Sequence, residues 1–313
     1  MKKPKLLLFG QGNIGTFVGA ALQHHSDRLL HYVRHPHQLR ESIHIQFNDR
    51  RKRPHKIRKG THYTYSCITT LDSIAEFDYI LLPLAHYHWK TAISTLLPLV
   101  REHQVLVLMG NFWDEMAWLE TNMGQHPYIF AFPNFGGSIT GNQIGGWLTP
   151  HFTVGVTNPL YQQHLQLFCD FLRLAGFRPR LEQDIAAWLK THFAYNAGMM
   201  ASAAKHDGFV KLTSSWSGLM DMYRLIRECM EVARLLGSDV KAFPEGRSAY
   251  KPFWWNTLTT RLIFLLPGLA KSIDAGKNLN DWWSYGKKVR ETAQNQSLKT
   301  PLLDTFQDIW QTY

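Results

Sequence analysis

The stretch that most limits how this chain can fold is Lys5-Leu6-Leu7-Leu8-Phe9-Gly10-Gln11-Gly12-Asn13-Ile14-Gly15. Four consecutive apolar residues suit a strand buried on both faces of a parallel sheet, and such a strand reaches its neighbour only through a crossover helix. The sequence supplies that helix at once, with Phe17, Val18, Ala21 and Leu22 along an apolar stripe. A second strand, Leu29-Leu30-His31-Tyr32-Val33, closes the unit. Strand, G-x-G-x-x-G turn, helix and strand in this order are the fingerprint of a dinucleotide site. The glycines have separate tasks: Gly10 permits the tight turn, Gly12 lets backbone approach a pyrophosphate, and Gly15 lets helix pack on strand. The helix start, with Gln11, Asn13 and Ile14 between the glycines, presents N–H groups and a positive dipole end to phosphates.

The end of the second strand chooses the cofactor. Asp or Glu there would hold the ribose hydroxyls of NAD, whereas a cation would accept the 2′-phosphate of NADP. The chain has Arg34, followed by His35, with Arg40 further on and no acid at the strand end. NADP(H) is therefore expected.

Residues 38–65 are polar. Alternation in Ile43-His44-Ile45-Gln46-Phe47 and in Tyr63-Thr64-Tyr65 predicts a β-hairpin whose tip, residues 49–59, is strongly basic. That tip reads either as a nucleic-acid or phosphate-binding loop or as a solvated hairpin end. The second reading is favoured, since aromatic residues to stack bases are few and no nucleic-acid motif is present. Buried strands follow at residues 78–84 and 104–108, joined by a helix over 89–100. The loops at their carboxyl ends, Leu84-Ala85-His86 and Gly110-Asn111, are expected along the cofactor crevice. The strand 128–132, turns at Gly136-Gly137 and Gly145-Gly146, and a return through 152–155 predict a closing antiparallel hairpin, with a helix over 159–175 completing the domain.

Beyond Leu181 the periodicity becomes helical, with helices over 184–204 and 219–236 and a helical remainder broken at Pro267-Gly268 and near Thr300-Pro301. The expected fold is thus α/β: a Rossmann-type doubly wound domain over residues 1–178, then an all-α domain over 179–313. Trp254, Trp255, Trp282 and Trp283 either line an apolar pocket or pack helices, the commoner use of such residues.

With 45% hydrophobic and 19% charged residues the chain has the composition of a soluble globular protein. The formal charge of +10 suits nucleic acid, a membrane surface or small anionic ligands, and does not choose among them. The apolar run after the basic start is too short for a signal peptide, and no stretch is long enough to span a bilayer. Three scattered cysteines, Cys67, Cys169 and Cys229, suit reduced thiols, so a cytoplasmic protein without membrane attachment is expected. The 16 histidines show no metal-ligand spacing, and neither a Gly-x-Ser-x-Gly elbow nor an HExxH pair is present.

The order of these features resembles the ketopantoate reductase family, the NADPH-dependent 2-dehydropantoate 2-reductases within the 6-phosphogluconate-dehydrogenase-like proteins, from Leu6 to about Gly237. Gly10, Gly12 and Gly15 fall on that family's nucleotide loop and Arg34 on its 2′-phosphate arginine. Trp188-Leu189-Lys190 resembles the tryptophan–x–lysine opening of its catalytic helix, and Glu228 sits where relatives carry a helix glutamate. The resemblance implies reduction of a small anionic 2-keto acid, Lys190 as general acid, substrate contacts at Asn111 and Asn196, and a homodimer. An ammonium suits that role because it both stabilises charge developing on a carbonyl oxygen and supplies its proton.

Departures are equally specific. Ala85-His86-Tyr87-His88 stands where relatives have a Lys–x–Tyr type sequence, and Met109-Gly110-Asn111 replaces Gln–Asn–Gly. Relatives place asparagines four and eight residues after the lysine; here those positions hold Ala194 and Gly198, and Asn196 lies off that face. The late serine and glutamate segment has no counterpart in Lys251-Pro252-Phe253-Trp254-Trp255-Asn256. An NADP-binding sensor with little or no chemistry is therefore the second reading.

Overall fold

The computed structural model describes residues 2–51, 56–57, 61–265, 269–275 and 277–306. Two compact units divide the chain, Met1–Asn111 with Glu115–Ile185, and Phe112–Asp114 with Ala186–Tyr313.

Among the described residues, the strands of the first unit are β1 (Lys5–Phe9), β2 (Arg28–Tyr32), β3 (Ser42–Asp49), β4 (Lys56–Ile57), β5 (Thr61–Thr64), β6 (Cys67–Ile68), β7 (Tyr79–Leu82), β8 (Val105–Leu108), β9 (Tyr128–Pro133), β10 (Gly136–Thr140), β11 (Gln143–Leu148), β12 (His151–Gly155) and β13 (Arg178–Leu181). Its helices are α1 (Asn13–Leu22), α2 (Trp89–Leu96), α3 (Met116–Asn122) and α4 (Gln162–Leu174). The main sheet runs β13-β12-β9-β8-β7-β1-β2-β6 and is parallel except where β12 meets β9. Its centre has the Rossmann order, two strands to one side of β1 and three to the other, so the chain reverses direction of winding at β1. Leu6, Leu7 and Leu8 are fully buried, as a central parallel strand requires.

A second sheet, β10-β11-β3-β4 with β5 also on β3, contains the hairpin foreseen from residues 43–65. α1 packs on both β1 and β10, and residues 15–22 of the helix are all buried in consequence. Phe17 of α1 meets Phe47 of β3 with ring centroids 4.9 Å apart. The paired glycines are not turns, contrary to the sequence reading. Gly137 stands opposite Gly146 within the β10–β11 ladder, and the chain reverses at Gly141. A Cβ on Gly137 would lie 1.9 Å from the Gly145 carbonyl oxygen, so the glycines serve close strand approach.

Much of the basic tip, including Pro54 and Lys59, lies outside the described residues. Arg51, which the sequence placed among the tip cations, is folded inward. It pairs with Asp49 at 2.8 Å, donates to the Ala175 carbonyl at 2.8 Å and stacks over Phe177. It closes the first unit and contributes no free charge to the tip.

The second unit is helical: α5 (Ile185–Lys205), α6 (Phe209–Ser214), α7 (Trp216–Leu235), α8 (Pro244–Ala249), α9 (Phe253–Phe264), α10 (Leu269–Asp274), α11 (Leu279–Asn295) and α12 (Pro301–Asp304). Pro267, Gly268 and Trp310 lie outside the described residues. Leu225, Met230 and Ala233 of α7 are buried on the side of the helix that faces the unit's core. The four tryptophans separate into two kinds: Trp282 and Trp283 belong to the core, whereas Trp254 and Trp255 are 56% and 44% exposed. Glu228 accepts the N–H groups of Leu302 and Leu303 and so caps α12. The three cysteines are free, and no described helix is long and apolar enough to cross a membrane.

Candidate functional site

At the carboxyl ends of β1 and β2 lies an open pocket of about 1080 Å³. Its wall includes Phe9, Gly10, Gln11 and Gly12 from the first turn, Tyr32, Val33 and Arg34 from the end of β2, and Leu84 after β7. It also includes His35, His37, Gln38, Leu39 and Arg40, and His88, Thr91, Ala92 and Thr95 at the start of α2. This is the crevice beside the switch point, where open α/β sheets take ligands.

The glycines differ in what forces them. Gly10 has φ of +86°, a left-handed conformation that disfavours any other residue. A Cβ on Gly15 would lie 3.2 Å from the Gly10 carbonyl oxygen, so this position is set by helix-on-turn packing. Gly12 has φ of −72° and a Cβ there would meet nothing within 4 Å. Neither backbone nor packing explains Gly12; open space in front of it does. The N–H of Thr16 is the first to find a helical acceptor, Gly12 at 2.9 Å, so those of the preceding turn point out of the helix end. A pyrophosphate fits such a cradle.

The loop is tied down from outside the fingerprint. Gln11 Nε2 donates to the Arg40 carbonyl at 2.7 Å and Gln11 Oε1 accepts from the Arg40 N–H at 2.8 Å. The Arg40 guanidinium in turn donates to the Gln11 carbonyl at 3.1 Å. Arg40 therefore braces the loop while staying at the pocket wall. Asn13 Oδ1 accepts the Ile139 N–H from β10 at 3.0 Å, which turns its side chain to the second sheet.

Below the loop lies a buried polar chain. His31 Nδ1 is 2.8 Å from the Gly10 carbonyl oxygen and Nε2 is 2.8 Å from the Tyr63 hydroxyl. A carbonyl only accepts, so Nδ1 carries the proton and Nε2 accepts from Tyr63. Burial without a counter-charge lowers the His31 pKa from 6.5 to about 4 and keeps the ring neutral. Tyr65, two residues along, shares a 2.7 Å hydrogen bond with Thr16 of α1. Burial raises the pKa of both tyrosines. Gly19 makes the room, because a Cβ there would lie 2.4 Å from the Tyr63 hydroxyl.

Of the residues singled out from sequence, Gly10, Gln11, Gly12, Arg34 and Leu84 line the pocket, and Arg34 is exposed there. Asn13, Ile14 and Gly15 form the first turn of α1 beside it. His86 is buried within a 3-10 turn, and His88 two residues on faces the pocket instead. Gly110 is a packing position: its Cβ would meet the Leu84 carbonyl oxygen at 2.4 Å and the Trp89 ring at 2.7 Å. Asn111 follows it, at the end of the first unit's opening segment. Sequence reasoning missed His37, Gln38, Thr91 and Thr95 at the wall, and the His31–Tyr63 and Thr16–Tyr65 pairs; no local pattern marks them.

In the second unit Lys190 is half-buried in the first turns of α5, and Asn196 is half-buried further along the helix. Trp188 is buried and stacks on His192, with centroids 5.0 Å apart and planes within 13°. His192 stands 3.6 Å from Glu245 of α8. Burial opposes ionisation of Glu245, but His192, the residue's own backbone N–H and Arg247 together outweigh it and hold the carboxyl below its ordinary range. Gly198 is the crossing point of α5 and α7: its Cβ would lie 2.5 Å from both N and Cα of Ile226. The backbone of α7 takes the place a side chain would need. No group of three or more His, Cys, Asp or Glu among the described residues could hold a metal.

Residues 6–141 match the family model described as ketopantoate reductase PanE/ApbA. No curated protein matches the sequence. Among solved structures, a dimeric ketopantoate reductase from Staphylococcus aureus is similar, with 16% identity and a TM-score of 0.69 over 99% of this chain and 98% of that one. A PanE/ApbA family ketopantoate reductase from Ralstonia eutropha gives 13% and 0.68, over 97% and 96%. A D-mandelate dehydrogenase with NADH and anilino(oxo)acetate bound gives 12% and 0.72, also over 97% and 96%.

Proposed function

We propose that this chain, which fits a divergent member of the ketopantoate reductase family, is an NADPH-dependent reductase of a small 2-keto acid. The observation that carries the cofactor half is the pocket wall itself: Arg34 just past β2 and Arg40 further on line the same pocket as Gly12, with no acid among the described residues of that wall. A 2′-phosphate gains from such a wall, whereas the ribose diol of NADH finds no carboxylate acceptor.

When bound, the reduced nicotinamide supplies a hydride to the carbonyl carbon. The chain's own residues supply the rest. The turn 10–15 holds the pyrophosphate through its N–H groups, and Gln11 with Arg40 keeps that turn in shape. In the proposal the Lys190 ammonium donates the proton that the carbonyl oxygen takes up as its π pair moves onto oxygen, and the neutral amine is reprotonated from water. The products are a 2-hydroxy acid and the oxidised cofactor. A homodimer accompanies this reading, as the Staphylococcus aureus protein of this fold is dimeric.

The sensor reading keeps a specific support, since Ala194 and Gly198 are both buried at the positions where the resemblance puts substrate-orienting asparagines. One experiment separates the two. Fluorescence titration with NADPH and NADH is run on wild type and Arg34→Ala, followed by NADPH oxidation across a 2-keto acid panel with wild type and Lys190→Ala. The reductase reading expects NADPH preferred, a loss of that preference by about tenfold or more in Arg34→Ala, and turnover reduced by about 10²–10⁴ in Lys190→Ala. Tight NADPH binding without turnover on any keto acid selects the sensor. Equal binding of both cofactors refutes the assignment of Arg34.

A further inference from the structure

α9 turns Phe253 and Phe264 to the core of its unit, yet it also buries polar residues there and leaves its largest apolar residues outside. Its inward side carries Asn256 and Thr257, both buried, and Thr260, whose hydroxyl lies 2.6 Å from that of Tyr223. Asn256 donates to the Ser248 carbonyl at 2.8 Å, and the Arg227 guanidinium sits 4.0 Å over the Phe253 ring. These contacts fix which side of the helix faces the unit. The opposite side carries Trp254, Trp255, Leu258 and Leu262, continued by Leu265 just past the helix end, with exposures of 56, 44, 38, 57 and 70%. At about 100° per residue these five fall within one arc of about 100°. A helix on a solvated surface has the reverse pattern, and a contiguous apolar patch of this kind marks an interaction surface.

We propose that this outward face of α9 is the contact surface of a homodimer, two copies meeting through the same face about a two-fold axis. The inference rests on the homodimer of the proposed function and not on its chemistry. Three features favour a second copy as the occupant. The exposed parts of the five side chains amount to roughly 500 Å², more than half of the about 800 Å² per partner in a standard interface, from one helix alone. The composition is that of an interface centre, Trp and Leu with a single Arg261 at the edge and no acid or lysine. An isologous contact needs side chains that pair with themselves, which apolar groups do and a one-signed charged patch does not. A lipid surface fits less well, because interfacial helices carry lysine and arginine along their polar side, and the polar side of α9 is neutral and buried.

The test is mass by light scattering and sedimentation on full-length wild type, Leu258→Glu/Leu262→Glu, and the milder Leu262→Ser, with circular dichroism to verify folding. Wild type is expected at twice 36.2 kDa. The double glutamate variant is expected to dissociate at least about 100-fold more readily and Leu262→Ser about tenfold, both with unchanged dichroism, since neither side chain is buried in the single copy. Leu262→Ser decides the matter alone should the double variant misfold. Wild type that is monomeric at tens of micromolar overturns the dimer. A dimer that both variants leave intact keeps the homodimer and overturns this surface. Monomeric wild type that co-sediments with phosphatidylserine vesicles assigns the face to lipid instead.

Discussion

α1 and α5 use the same device to opposite ends. Each is the helix on which its unit is built, and each has a buried glycine where a Cβ would collide. In α1 the space left by Gly19 is filled by the Tyr63 hydroxyl and His31, a polar pair that holds the Gly10 carbonyl and so supports the glycine turn. In α5 the space left by Gly198 is filled by the backbone of α7, at a position where the resemblance expects a side chain that touches substrate. A missing Cβ makes room for a polar support in one unit and for a neighbouring helix backbone in the other.

The largest expected effect tests the closed side of this comparison. Gly198→Asn restores the residue type that relatives carry, but it drives side-chain atoms into the N and Cα of Ile226, which cannot step aside as a flexible side chain can. We expect a loss of about 3 kcal/mol or more in denaturant unfolding and no gain in keto-acid turnover. A stable variant with increased turnover would break the comparison, since it would mean that α7 yields. Gly19→Ala meets the far end of a tyrosine and an imidazole instead, so a smaller loss, about 2 kcal/mol, is expected, with weaker NADPH binding because the Gly10 carbonyl loses its donor.

Next comes pH. His31 has a folded-state pKa of about 4 against an ordinary value near 6.5. Between these values the unfolded chain binds a proton that the folded chain refuses, so the contribution is complete above about pH 6.5 and shrinks as pH falls toward 4. At pH 5 the loss amounts to about 2 kcal/mol. Unfolding curves of wild type between pH 6.5 and 5 should show it, and His31→Asn, whose amide nitrogen replaces Nδ1 as the donor to Gly10 but takes up no proton, should flatten the slope. An equal slope in both proteins would place the titration elsewhere.

These residues also mark how far the sequence could be read. The first strand, its glycine turn and Arg34 were legible because a βαβ unit is specified by contiguous residues with fixed tasks. The His31–Tyr63 pair was not, since its partners are 32 positions apart and meet only when the second sheet closes over α1. Gly137 and Gly146 resembled turns because the same residue serves a turn and a close strand pair, and only the register distinguishes them. Arg51 looked like one more tip cation until Asp49, Ala175 and Phe177 enclosed it. Trp254 and Trp255 could not be told from Trp282 and Trp283, because periodicity gives a helix its stripe but not the side on which the core lies. In α9 the core side carries Asn256, Thr257 and Thr260 between Phe253 and Phe264, while the tryptophans lie on the other side.

The smallest expected effect on stability is the most discriminating for the open side of the comparison. Gly12 has an ordinary backbone conformation and faces space, so Gly12→Ala introduces no collision, and the lower entropy of the unfolded chain offsets whatever is lost at the helix start. Its unfolding free energy should stay within about 0.5 kcal/mol of wild type. The added methyl nevertheless occupies the path by which a pyrophosphate approaches the helix end, so NADPH affinity should fall by about tenfold or more. Affinity lost at unchanged stability can arise only if the space at Gly12 is where the ligand lies. Retained affinity would move the phosphates away from the turn and leave Arg34 and Arg40 without the partner their position implies, whatever α5 does in the other unit.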